Sequence, residues 1–180
     1  MSISFHVFAH RARIPDARAW SRAIAEHGFA TSLDPELDPE LDPTSYSGYV
    51  PCPDDRSGFE LFVEPYSAAN FEIGPDGMQA IGARDIVFTF RFSGRETDRA
   101  AATAAAATLA RMTDGILFDV DARHFVDAPA VLAWARGEKY APVAVYRVRA
   151  SRRRARIRIS TIVRLLIVLA LAVSVFVFRR

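Results

Sequence analysis

Cysteine is nearly absent. Cys52 is the only one, which excludes an internal disulfide framework and any zinc cluster built on several thiolates. It lies in VPCPDD, between two prolines, with Arg56 as its one basic neighbour, and a tuned thiolate needs more positive surroundings than that. Histidine is scarce as well: His6, His10, His27 and His124 complete the set. The chain carries no H-E-x-x-H, no G-x-S-x-G, no P-loop and no G-x-G-x-x-G. The common signatures of zinc proteases, serine hydrolases and nucleotide binders are therefore missing, and no cofactor is expected. The N-terminus, MSISFHVFAHRAR, lacks the basic start, apolar run and small-residue cleavage site of a secretory signal. It reads as a first strand, which places the head of the protein in the cytoplasm.

Acidic residues are missing from the last part of the chain. Residues 1–140 hold all 21 acidic residues and 13 basic ones, a formal charge of −8, whereas residues 141–180 hold ten arginines and no acid, +10. The net charge of +2 describes neither part. Lysine is almost absent too, since 22 of the 23 basic residues are arginine, as a GC-rich bacterial genome favours.

What the tail does have is a long apolar run. Residues 165–178, LLIVLALAVSVFVF, contain no charge, and starting from Ile162 gives 17 residues with Arg164 inside the near end. As a helix those 17 residues reach about 25 Å, against a hydrocarbon core of roughly 30 Å. Arg164 can extend its guanidinium to the headgroups, and Arg179 and Arg180 mark the far interface. Arg152, Arg153, Arg154, Arg156, Arg158 and Arg164 precede the run and only two arginines follow it. The positive-inside rule then puts the head on the cytoplasmic side of a bacterial inner membrane, as in a tail-anchored protein. The arginines also suit a bilayer with anionic headgroups. RRRARIRIS has no interleaved aromatics and abuts the apolar run, so nucleic acid is not the expected partner. This divides the chain into a soluble domain (1–139), an Arg-rich juxtamembrane linker (140–160) and a transmembrane tail anchor (161–180).

The head reads as an α+β domain. Period-two alternation marks strands in ISFHVFA (3–9), GFELFVEP (58–65), DIVFTFRF (85–92) and GILFDVD (115–121), with RHFVD pairing back on the last. Helices are expected over about 16–27, with Asp16 as N-cap and Gly28 after it, over about 97–112, and over 128–136. The middle one is rich in alanine and so can approach a sheet closely. Each half runs strand, charged turn, helix, glycine, strand, with the second strand of the first half placed in FATSLD (29–34). Two such βαβ-type halves predict one sheet with helices packed on one face, ferredoxin-like or a duplicated βαββ.

Between the halves lies LDPELDPELDP (33–43), a tandem repeat inside an acidic, proline-rich loop spanning 33–57. Each proline biases the preceding aspartate away from helix. Asp34, Glu36, Asp38, Glu40 and Asp42 crowd negative charge into an extended stretch, a solvated loop or a contact arm for a basic partner. Prolines stand where a calcium loop needs glycine and its own spacing.

Catalytic chemistry has few candidates. His6 and His10 share a strand side if the strand extends that far, and Asp119, Asp121 or Glu60 would complete a metal or acid–base site. Glu60 and Glu64 point the same way about 7 Å apart, as do any alternating polar residues on a solvated sheet. Trp20 and Trp134 read as core.

AAAATLARMTDGILFDVDARHF resembles a pattern in uncharacterised bacterial proteins, some of them associated with toxin–immunity systems. A helix ends in Leu109-Ala110, Thr113 and Gly115 follow, and a strand then carries Asp119. The resemblance covers about 20 of 180 residues, and a helix C-cap leading into a strand produces much of it. It implies no functional residue. The function expected is a membrane-anchored interaction module for a protein partner or small ligand, an immunity-type neutraliser being one version. The alternative is a small tethered enzyme using His6, His10 or His124 with carboxylates.

Overall fold

A computed structural model describes residues 3–33, 47–52, 57–71 and 73–143. The acidic arm at 34–42, the arginines of the linker and the apolar C-terminal run lie outside them. Among the described residues no helix is long and apolar enough to cross a membrane.

The fold is α+β, built on one six-stranded sheet in which every ladder is antiparallel. The strands are β1 (Ile3–Ala9), β2 (Ser47–Pro51), β3 (Gly58–Pro65), β4 (Ile86–Phe92), β5 (Ile116–Asp119) and β6 (His124–Asp127). Their order across the sheet is β2-β3-β4-β1-β5-β6. The helices are α1 (Ala17–Glu26), α2 (Pro75–Ile81), α3 (Glu96–Thr113) and α4 (Val131–Ala135).

The second half closes as expected. β4 and β5 are both antiparallel to β1, so they run parallel to each other with β1 between them and α3 as the crossover. The first half differs. Residues 29–33 form no strand, although Leu33 is buried, and among the described residues after α1 the first to join the sheet are those of β2, inside the expected loop 33–57. β2 lies antiparallel to β1 at the sheet's far edge. The reason is occupancy. Both edges of β1 are taken, by β4 and β5, so the chain leaving α1 does not pair beside β1 and joins the sheet at the outer edge of β3.

One face of the sheet carries the main core. Phe5, Val7, Phe59, Leu61, Phe88 and Phe90 point to it, as the alternation requires, and α3 packs on β1, β3 and β4 there. α3 is flanked by α1 and α4, which explains why alanines from Ala101 to Ala110 are buried around most of its circumference. Small side chains let a helix sit close to a sheet and to two other helices at once. Trp20 of α1 fills the joint, donating its indole N–H to the Ala105 carbonyl at 3.1 Å. α1 begins as expected, with the Asp16 carboxylate accepting the Ala19 N–H at 2.7 Å.

The other face carries a smaller aromatic cluster. Phe8, Val87, Ile116 and Phe125 are buried there against Ile81, with Tyr66, Phe71 and Ile73 packed around them. The segment between β3 and β4 lies over this face and contains α2, a helix too short for a periodic pattern but bounded by Pro75 in its first turn and Gly82 at its end.

Candidate functional site

The histidines do not converge. His6 lies on the second face of the sheet, while Asp119 and His124 pair across β5 and β6 on the helix-bearing side. His10 stands past the end of β1, at the start of a 3-10 turn over Arg11–Arg13. Among the described residues no group of three or more His, Cys, Asp or Glu side chains can hold a metal ion. Glu60 is half-exposed and pairs with Arg91 at 3.4 Å, whose guanidinium sits 4.8 Å from the centre of the Phe62 ring. Cys52 is a buried thiol outside any disulfide. Asp34, Glu36, Asp38, Glu40 and Asp42, and the arginines Arg152 to Arg180, lie outside the described residues.

His6 is held by packing. Its ring stacks on Phe118, meets Phe71 edge-on and bonds Thr89 Oγ1 through Nδ1 at 3.0 Å. Burial among these groups lowers its pKa to about 4. A neutral imidazole fixed between rings is a core residue.

A polar cleft opens at the start of α3, lined by Tyr49, Glu60, Arg91, Ser93, Arg95 and Asp98. Its centre is Asp98, only 3% exposed. The Asp98 carboxylate accepts from the Ser93 hydroxyl, the Gly58 N–H and both arms of the Arg95 guanidinium, at 3.0 Å each for the last two. Desolvation pushes the Asp98 pKa up, but the bonds from Ser93, Arg95 and Gly58 outweigh it and hold the carboxyl below its ordinary value. Asp98, in the first turn of α3, is the side chain that organises this helix end.

A second cavity, of about 570 Å³, lies beside the β5–β6 turn and is lined by Ala122, His124, Glu138, Lys139, Tyr140 and Pro142. Tyr140 stacks on His124, with ring centres 5.8 Å apart, and its hydroxyl bonds His124 Nε2 at 2.5 Å. Gly137, at φ 69°, turns the chain out of α4 so that Glu138, Lys139 and Tyr140 swing back towards β6. Asp119 faces His124 across the ladder, 4% exposed, and its carboxylate accepts the Ala122 N–H at 3.0 Å. Burial, and then the charge of Asp119, push the Tyr140 phenol above its ordinary pKa. His124 and Asp119 were both singled out in the sequence, but Tyr140 and the only lysine, Lys139, were not. No spacing rule links residue 140 to residue 124; the return from α4 does.

Neither protein-family models, nor curated proteins, nor solved structures yield a match to this chain.

Proposed function

We propose that this protein is an interaction module tethered to the cytoplasmic face of a bacterial inner membrane by its C-terminal segment. The observation that carries this reading is the split along the chain. All 21 acidic residues precede residue 141, and ten arginines flank the uncharged run 165–178. An acidic head suits a basic protein partner, because complementary charge speeds encounter and suppresses wrong partners. An immunity-type neutraliser of a basic toxin is one concrete form.

The test is location. The full chain and a version ending at Ala150 are expressed, and the membranes are washed with alkaline carbonate. The full chain is expected to resist the wash and the shorter one to be soluble. Release of the full chain by carbonate would end the tether reading.

A second reading, a small tethered enzyme, draws on the hydrogen-bonded His124 and Tyr140 beside Asp119. A phenol bonded to an imidazole is a proton-transfer pair in form. Under this reading His124→Gln abolishes turnover with the fold intact, whereas a binding module retains its partner.

A further inference from the structure

We propose that the cavity beside the β5–β6 turn is a cation site that takes the guanidinium or primary ammonium group of a basic ligand. This deepens the interaction-module reading, and rests on it for the claim that the cation belongs to a protein. Two carboxylates are at hand: Glu138 on the cavity lining, and the buried Asp119, which faces the lining residue His124 across the β5–β6 ladder. Against them stands Lys139 alone. The field of Asp119 reaches the Tyr140 phenol and adds to what burial does in disfavouring the phenolate. An incoming anion meets that same field, and a cation is drawn by it.

The hydrogen bonding agrees. Whichever partner donates in the Tyr140–His124 bond, the phenol oxygen keeps a lone pair that can accept a further donor. Glu138 adds two acceptor oxygens and forms no ion pair among the described residues. A planar guanidinium has donors for these acceptors and stacks well on an aromatic face, here Tyr140 or His124. Lys139 sits on an exposed, four-carbon stem at the rim. Among the described residues that line the cavity it is the only cation, and it competes with a ligand cation for the same negative charge.

The experiment uses the full chain in dodecylmaltoside micelles, with the carbon-bound protons of His124 and Tyr140 followed by NMR. Methylguanidinium, a tetra-arginine peptide, a tetra-glutamate peptide and inorganic phosphate are titrated separately. The two guanidinium probes are expected to give saturable shifts at both rings, and the two anions none. Glu138→Gln weakens binding about threefold to fivefold, the size of one exposed ion pair. Lys139→Ala tightens it. Both rim residues are exposed, so these variants keep the fold. Shifts from phosphate that vanish in Lys139→Ala, or no saturable shift from either guanidinium probe, overturn the site. Binding of methylguanidinium without the peptide leaves the site standing and overturns the basic protein as its ligand. The carbonate wash reads the tether separately from all of these.

Discussion

His6 shows how one buried imidazole ties stability to pH. Its folded pKa is lowered to about 4 from 6.5, so between those values the unfolded chain binds the proton and the folded one does not. Its contribution is complete above pH 6.5 and is lost as the pH falls through 4. Acidifying from pH 7 to pH 5 should cost about 2 kcal/mol at this one site. Urea midpoints of the protein and of His6→Gln, taken at both pH values, check this: the variant's midpoint should fall by much less. Asp98 works lower on the scale, since its pKa is held below the ordinary carboxylate value and its stabilisation fades only in stronger acid. Asp98→Asn leaves the Arg95 and Ser93 donors facing a weaker acceptor. A loss of about 2 kcal/mol is expected by denaturant titration, because Arg95 itself remains in water.

At the scale of the element, α3 is the piece on which the rest is assembled. It packs on the sheet and on two helices, and almost no part of it reaches solvent over its middle turns. Thr108 sits there fully buried with a hydroxyl that finds no partner among the described residues. Exchanging that hydroxyl for a methyl removes an uncompensated polar burial. Thr108→Val should therefore raise stability by about 1 kcal/mol, read as a higher melting temperature. The end of α3 is less forgiving. Asp114 takes the left-handed conformation at φ 51°, and Gly115 passes so close to β1 that a Cβ would lie 2.8 Å from the Phe8 carbonyl oxygen. Backbone cannot yield as a side-chain tip can. Gly115→Ala should cost about 1–3 kcal/mol by the same measurement. The Thr113, Gly115, Asp119 pattern picked out in the sequence thus has structural work at each place: Thr113 donates to the Leu109 carbonyl, Gly115 permits the approach, and Asp119 holds the β5–β6 turn.

At the scale of the whole molecule, the proposal is a division between an acidic folding unit and a basic tail. Replacing Arg152, Arg153, Arg154, Arg156 and Arg158 with glutamine should leave insertion of the apolar run in place. It should also remove any preference for vesicles of anionic over zwitterionic lipid, at about 1 kcal/mol per arginine near the surface. Flotation with the two vesicle types reads this. Equal flotation of the unaltered chain with both would overturn the role given to the arginines.

Strands β1, β3, β4, β5 and β6 were legible because alternation is a local property. Phe5 and Val7 in β1, Phe59, Leu61 and Val63 in β3, and Phe88 and Phe90 in β4 carry their own period, whatever they pair with. α1 and α3 were legible for the same reason, through the Asp16 cap and the alanine run. Pairing is not local. β2 is short, carries a glycine and ends in proline, and is a strand because it pairs on the outer edge of β3. α2 is a helix because Gly77 and Ile81 fit the aromatic face beneath it, with the Phe125 ring 3.2 Å from where a Cβ on Gly77 would stand. The candidate site divides in the same way. His124 and Asp119 could be named from the chain, but their sharing a ladder, and Tyr140 closing on His124 after α4, are consequences of register and of a glycine turn. Residue spacing alone determined the elements and the split of charge. Only the competition for sheet edges and for space on the two faces decided which side chains meet.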